Sequence, residues 1–394
     1  MDKNFAKKAA VLSVSTITIL GSTAVSPALS GIKSAFPQMS DGWIQMILTL
    51  PTLLIIPSCL LCRYAISRIG QKNVLLMGII IYLIGGLGAG LAPSFAVLLV
   101  MRGILGIGCG FITPMAQNLI SSNFEGEEKQ RLTSYSASAS YLMGIIASFC
   151  VGRLVGINWR LAFLIYFVAA VVMVLNILYL PDNRKNSASE ENELSNSKDT
   201  SKPNIPAFLT IIAMFGINGA FYTFSASISL FMRGEGIGNE TSSGIVVSSF
   251  MICGFIIGLV VPFFRKILKS YTMSLGCLMM GAGYMILSKG SDIRLLMAAA
   301  ALVGGSYSIL YSGIFTRIRS LSKSEKETTT LVTLTTAFMF LGQAVSQYIL
   351  RAVELLAGTS GYRFRFMFLA VVLLICMAGC IINNVIIKIC RKKA

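Results

Sequence analysis

"MRGILGIGCGFITPMAQ", Met101 to Gln117, sets one arginine, Arg102, in an apolar, glycine-dense run that also carries Gly106-Ile107-Gly108-Cys109-Gly110. Two very different folds use such runs. On a soluble nucleotide-binding fold, a Gly-x-Gly-x-x-Gly loop follows a strand, opens a helix and cradles phosphate. Here the third position of that pattern is Phe111, not glycine. In a membrane helix, small residues three or four apart let neighbouring helices approach closely, and Gly103, Gly106 and Gly110 have that spacing. The surrounding apolar run is also long enough to cross a bilayer, which takes about 20 residues. The glycines therefore read as packing surface and not as a phosphate cradle.

The rest of the chain agrees. Of its 394 residues 55% are hydrophobic and only 12% charged, with a mean hydropathy of +0.76, whereas a soluble domain carries about 25% charged residues. The apolar residues fall into twelve segments of spanning length. In the first half these are Ala9–Leu29, Trp43–Cys62, Val74–Leu91, Phe95–Leu119, Leu132–Val155 and Arg160–Leu180. In the second they are Ala207–Met232, Gly244–Phe264, Met273–Leu287, Leu295–Phe315, Leu331–Leu350 and Phe366–Lys388, the ninth being the shortest. The first follows Lys3, Lys7 and Lys8 as a signal peptide would, but its apolar run continues to Leu29, so it is expected to be a retained helix.

A net charge of +17 would ordinarily point to nucleic acid. If the amino terminus is cytoplasmic and every segment crosses, most Lys and Arg fall in cytoplasmic loops, the bias that sets membrane topology. Basic loops facing anionic lipid account for the charge without nucleic acid. Both termini are then expected in the cytoplasm, in a bacterial cytoplasmic membrane. Nine cysteines lie in or beside apolar segments, and Cys59-x-x-Cys62 has the look of a metal or redox pair. No second pair and no histidine exist to complete a zinc site, so these thiols are expected to pack between helices and no metal or cofactor is implied. The absence of histidine also removes zincin motifs, Ser-His-Asp triads and imidazole bases. No enzymatic activity is expected.

Between the sixth and seventh segments, Asp182 to Asn204 is nearly devoid of apolar residues and reads as a disordered cytoplasmic linker. The expected organisation is a six-helix bundle over residues 1–182, a linker over 183–204 and a second six-helix bundle over 205–394. Short matches recur at an offset of about 200 residues, the mark of tandem repeats in transporters. Trp159-Arg160-x-x-Phe163 and Tyr362-Arg363-x-x-Phe366 open the last helix of each half. Basic turns after the second and eighth segments are followed by Gly78 and Gly276.

Twelve segments as six plus six, a basic turn after the second and an arginine in the fourth resemble the major facilitator superfamily. The superfamily's loop signature, Gly-x-x-x-Asp-Arg-x-Gly-Arg-Lys, falls on Arg63, Ser67, Arg68, Gly70, Gln71 and Lys72, lacking its first glycine, aspartate and second arginine. Its fourth-span signature, Arg-x-x-x-Gly-x-Gly, is met by Arg102, Gly106 and Gly108. The Gly-Pro signature of antiporters is absent near Ala147-Ser148. The resemblance, drug-efflux-like with a degenerate loop, implies an all-α membrane protein of two pseudo-symmetric six-helix bundles. It also implies transport by alternating access around a central cavity lined by the first, fourth, seventh and tenth helices.

Arg102 is the residue most in need of a role, because a guanidinium in hydrocarbon costs about 3 kcal/mol or more and normally faces a bundle interior or a wet cavity. With Gly106, Cys109, Thr113 and Gln117 it forms one stripe within about 80° of arc, as a cavity wall would. Snorkelling to the outer interface is the competing reading. By resemblance, Ser15, Ser22, Thr23 and Ser26 line the cavity from the first helix. Asn218, Tyr222 and Ser225 do so from the seventh, and Tyr307, Tyr311 and Ser312 from the tenth. Gln343, Ser346 and Gln347 are weaker candidates. Each hydroxyl is equally able to bond its own helix or a neighbour.

No Asp or Glu stands at the centre of any span. If a proton is the coupling ion, Asp41 or Glu354 is the group expected to titrate near Arg102 at an outer gate; otherwise both are ordinary interfacial charges. At the inner face Arg68, Gly70 and Lys72 are expected to clamp the start of the eleventh helix near Glu327, where Ser324-x-x-Glu327 is a capping-box pattern; their alternative role is only to set topology. The expected function is secondary active transport, directed outward and driven by an ion gradient with the proton as coupling ion, of a small amphipathic or drug-like compound by a monomer. The alternatives are an importer of a nutrient or organic anion with Arg102 as counter-ion, and a non-transporting sensor or scaffold on a carrier fold.

Overall fold

The computed structural model describes residues 3–22, 24–180, 205–268, 271–322 and 324–393, and leaves out some helical side chains, Ser22, Arg63 and Gln117 among them. Thr23 and the linker expected over 183–204 lie outside the described residues. All secondary structure among the described residues is helical, and the chain divides into two compact units, Met1–Lys202 and Pro203–Ala394.

The first unit holds α1 (Lys3–Ser22), α2 (Leu29–Ala35), α3 (Asp41–Ile69), α4 (Gln71–Gly90), α5 (Phe95–Asn123), α6 (Gly126–Val155) and α7 (Val168–Tyr179). The second holds α8 (Ile205–Gly234), α9 (Glu240–Leu268), α10 (Thr272–Lys289), α11 (Ile293–Leu321), α12 (Glu325–Ala357) and α13 (Tyr362–Lys393). Two sequence expectations are corrected. The first span is not one helix: α1 stops at Ser22 and the chain continues through a 3₁₀ turn, Ser26–Ala28, into α2. Pro27, which has no N–H to extend the helical ladder, lies in that turn. The sixth span likewise opens as 3₁₀ turns over Trp159–Phe167 before α7 begins.

α1–α2 and the 3₁₀ segment with α7 each form one rod, giving twelve rods among the described residues, of which ten are long and apolar enough to cross a membrane. The exceptions are α10, with 18 residues, and α12. α12 is less apolar because Gln343, Ser346, Gln347, Arg351 and Glu354 follow its threonine-rich start.

Local chemistry sets the ends. Ser94 caps α5 by accepting the Val97 N–H at 3.4 Å, and Ser324 caps α12 by accepting the Glu327 N–H at 3.1 Å, as the Ser-x-x-Glu pattern implies. Gly70 joins α3 to α4 at φ +82°, a conformation that L side chains rarely adopt.

Inside each unit the same pairings recur. In the first, α5 packs on α3 and α4, and α1 packs on α6; in the second, α11 packs on α9 and α10, and α8 packs on α12. Matching hydrogen bonds accompany these pairings. The Tyr82 hydroxyl on α4 donates to the Ile17 carbonyl of α1 at 3.0 Å, and the Tyr284 hydroxyl on α10 donates to the Ala220 carbonyl of α8. The Arg160 Nη1 donates to the Gly90 carbonyl at the end of α4 at 3.0 Å, and the Arg363 Nη1 donates to the Ser288 carbonyl near the end of α10 at 3.1 Å. In both halves the arginine opening the sixth rod thus satisfies a carbonyl that a helix terminus leaves open.

The α3–α5 and α4–α5 contacts are backbone against backbone. A Cβ on Gly106 would stand 2.6 Å from Pro51 Cα, one on Gly108 2.6 Å from the Tyr82 nitrogen, and one on Gly85 2.7 Å from the Met101 carbonyl oxygen. These distances account for Gly106 and Gly108 without a ligand. Gly85→Val is therefore expected to destabilise the folded protein by about 1–3 kcal/mol or abolish its accumulation, since the obstructing atoms are main chain. Gly216→Ala, where nothing stands within 4 Å, is expected to be silent. Thermal unfolding in detergent checks both.

Candidate functional site

Arg102 is fully buried, at 0% exposure, and it neither snorkels nor faces open space. Its Nε donates to the Ile47 carbonyl at 2.8 Å, Nη2 to the Gly21 carbonyl at 3.3 Å, and Nη1 to the Tyr166 hydroxyl at 2.6 Å. The guanidinium also lies 5.6 Å from the centre of the Tyr166 ring. Both carbonyls have a reason to be open. Ile47 lies four residues before Pro51, inside α3, and proline has no N–H to return to it. Gly21 is the penultimate residue of α1, where the helix breaks and the last carbonyls lose their intrahelical donors. A cation near the end of α1 also opposes the negative pole of that helix. Arg102 therefore joins α1, α3, α5 and the 3₁₀ segment before α7 through groups that hydrocarbon would leave unsatisfied.

The cysteine pair does the same on a smaller scale. Pro114 lies inside α5 and cannot donate to Gly110; the Cys59 thiol donates to that carbonyl at 3.2 Å, and the Cys62 thiol to the Phe111 carbonyl at 3.5 Å. Of the other stripe residues, Thr113 donates its hydroxyl to the Cys109 carbonyl of its own helix at 2.8 Å, and the Gln117 side chain is outside the described residues. Ser15 shares a hydroxyl contact of 2.5 Å with Ser136 on α6. Ser26 is buried, and Ser22 is described in its backbone alone.

At the turn between α3 and α4, the Lys72 ammonium donates to the carbonyls of Ile177 at 3.0 Å and Leu180 at 2.6 Å, closing the end of α7. Arg68 lies 5.1 Å from the Tyr64 ring centre. Asp41, at the start of α3, pairs with Lys33 at 3.4 Å.

The second unit gathers more of the expected lining. The Tyr307 hydroxyl on α11 donates to Asn218 Oδ1 on α8 at 2.9 Å, and Gln343 Nε2 on α12 donates to the same oxygen at 3.3 Å. One turn on, Gln347 Nε2 donates to the Thr223 hydroxyl at 3.3 Å. Tyr222 and Ser225 are fully buried. Tyr307 is half-buried and stacks on Phe221 with ring centres 4.0 Å apart, while Phe221 lies 5.2 Å from Phe250. Along α11 the aromatic run continues from Tyr307 to Tyr311 at 5.6 Å and to Phe315 at 4.9 Å, with Tyr311 38% exposed. Phe221, Thr223 and Phe315 were not singled out in the sequence. Phe315 was legible from its place one turn beyond Tyr307 and Tyr311, whereas nothing local marks Thr223. At the far end Arg265 donates to the hydroxyls of Ser312 at 2.9 Å and Thr316 at 2.7 Å.

Glu354 pairs with Arg365 through two contacts of 2.8 Å and accepts the Gly361 N–H at 3.0 Å; the two residues are 6% and 7% exposed. Burial pushes its carboxyl up. The Arg365 hydrogen bonds, the Gly361 N–H and the charges of Arg365 and Arg351 outweigh burial and hold it below the ordinary carboxylate value. Neither Asp41 nor Glu354 is a partner of Arg102, whose hydrogen bonds all go to carbonyls and a phenol.

Residues 11–346 match the family profile of the Major Facilitator Superfamily. Among individual proteins, the chain is 29% identical over 180 residues to the MFS-type efflux pump MMF1 of Pseudozyma antarctica, covering 44% of this chain and 32% of that one. It is 26% identical over 158 residues to the multidrug transporter protein MdtP of Bacillus subtilis (38% and 29% covered). It is 25% identical over 150 residues to the probable polyol transporter 3 of Arabidopsis thaliana (37% and 30%). The matches span about a third of the length of these relatives. Among solved structures, a POT family transporter in complex with 5-aminolevulinic acid superposes with a TM-score of 0.77 at 13% identity, over 95% of both chains. A bacterial homologue of the human lysosomal transporter Spinster does so with 0.72 at 14%, also over 95% of both. These similarities establish the fold.

Two outcomes follow from the geometry. Arg102→Ala leaves two buried carbonyls open, at about 1–3 kcal/mol each, and is expected to lower the thermal midpoint. In the Pro51→Ala background, where an N–H again reaches Ile47, the same substitution is expected to cost less; equal losses in both backgrounds refute the proline account. For Glu354, a depressed folded pKa means stability present above the unfolded value of about 4.3 and lost as pH falls through the lower folded value. Glu354→Gln is expected to be less stable than the parent at pH 7, with the gap closing below about pH 4.

Proposed function

Because the chain belongs to the Major Facilitator Superfamily, we propose that it is a secondary active transporter moving a small amphipathic organic compound outward by alternating access. In this reading it spans the cytoplasmic membrane as a monomer, with both termini inside, and draws on an ion gradient. The supporting observation is the face that α8, α11 and α12 build in the second unit: half-buried aromatic rings joined to a small amide cluster. Apolar rings with a few convergent polar groups suit flat, partly apolar solutes and loose selectivity. The efflux pump and multidrug transporter among the relatives support the outward direction.

In this proposal Arg102 holds the first unit together and does not act as a counter-ion, so an organic anion loses its partner. Asp41 and Glu354 are the carboxylates to test for proton coupling. Their existing partners, Lys33 and Arg365, favour a structural role, most strongly for Glu354.

The test is a proteoliposome assay with imposed proton or sodium gradients and a panel of dyes and drugs. Tyr307→Ala is expected to raise KM about tenfold for aromatic compounds through loss of ring contact and of the Asn218 hydrogen bond. Tyr307→Phe is expected to keep most of the affinity. Arg102→Ala is expected to reduce the amount of folded protein while leaving the substrate order unchanged. Absence of flux for every compound in both directions would turn the assignment toward a sensor on a carrier fold.

A further inference from the structure

We propose that Gln343 and Gln347 form an acceptor pair that receives the amine head of a transported aromatic solute. This rests on the transporter reading above and names the chemical class that its second-unit site takes.

Both side chains are more than nine-tenths buried, at 6% and 5% exposure. One nitrogen of each is engaged, Gln343 Nε2 with Asn218 Oδ1 and Gln347 Nε2 with Thr223 Oγ1. The two carboxamide oxygens are buried and have no hydrogen-bond partner among the described residues. Such an acceptor costs about 1–3 kcal/mol, and buried polar groups are otherwise nearly always paired. The two residues stand one turn apart on α12, so they occupy one face of that helix, the face that meets α8.

The two hydroxyls bonded in this cluster do not supply the missing donors. The Tyr307 proton goes to Asn218, and the Thr223 proton goes to the Gly219 carbonyl at 2.8 Å. A guest must therefore bring N–H or O–H groups of its own, and a carboxylate, which only accepts, is disfavoured. Tyr307 belongs at once to this polar cluster and to the aromatic run of Phe221, Tyr311 and Phe315. Ring faces attract a cationic body, which favours an amine over a neutral hydroxyl compound.

The experiment uses two lipophilic aromatic cations, ethidium, with two aryl amines, and tetraphenylphosphonium, with no N–H. Binding of each to the purified full-length protein is compared with binding to the Gln343→Met/Gln347→Met double variant. Ethidium affinity is expected to fall about tenfold or more while tetraphenylphosphonium stays within about twofold. The thermal midpoint is expected not to fall, because two unsatisfied oxygens are removed.

Equal weakening of both probes would overturn the proposal, since the pair would then only shape the site. So would unchanged ethidium binding; if the thermal midpoint also falls, the pair holds structural water. Displacement of ethidium by sorbitol but not by arylamines would reassign the pair to hydroxyl compounds. Tetraphenylphosphonium binding without ethidium binding rejects this inference and leaves the transporter reading standing; binding of neither probe, with no flux in proteoliposomes, removes both.

Discussion

The hydrogen bonds from Arg102 to the carbonyls of Ile47 and Gly21 are the contact on which the first unit depends. In a bilayer no water is available to an open carbonyl, so a helix can bend or stop within the membrane only where another protein group takes over its hydrogen bonds. Pro51 removes a backbone donor from one rod, and another stops at Ser22 before the 3₁₀ turn. A single guanidinium, forked and permanently charged, reaches both. Its own burial is tolerable for the same reason, because acceptors surround it. Gly106 packing on Pro51 brings α5 close enough for the reach to work. Arginine, proline and glycine here form one device, and their nearness along and across the helices follows from it.

The same economy appears wherever the chain departs from a straight helix. Cys59 serves the carbonyl that Pro114 abandons. Tyr82 and Tyr284 each lean on the first rod of their own unit, and Arg160 and Arg363 each close the end of a third rod. That these four contacts fall at corresponding places in two units of like pairing is physical support for an internal duplication. The arginines of the short sequence matches hold each repeat's third rod against its sixth, and the two tyrosines hold it against the first.

The two units diverge in the use of their interiors. In the first, the polar stripe of α5 turns inward on helix carbonyls, and its strongest charge is sealed. In the second, the polar groups of α8, α11 and α12 meet one another beside half-buried rings, and two amide oxygens are left over. A buried oxygen without a partner also remains on Asn176 in the first unit; the two on α12 differ in standing one turn apart, on the face that meets α8 and beside half-buried rings, which gives them capacity for a guest. That contrast locates the proposed recognition chemistry in the second unit.

The sequence by itself determined the membrane class, the rods, the six-plus-six repeat, the packing role of the glycines and the cap at Ser324. All of these follow from hydropathy, spacing or local hydrogen bonding, which are properties of neighbouring residues. It also marked Asn218, Tyr307 and Tyr311, because aligned polar groups on an apolar helix are visible in one dimension. Only the tertiary structure decided what those groups meet. Whether Arg102 faced water or protein depended on carbonyls 81 and 55 residues away, released by a proline and a helix break. Glu354 lay near Arg351 along the chain, yet its bidentate partner is Arg365, brought back by the turn at Gly358. Hydrogen-bond satisfaction in a buried site is a sum over partners from several helices, and the periodicity of any one helix does not contain it.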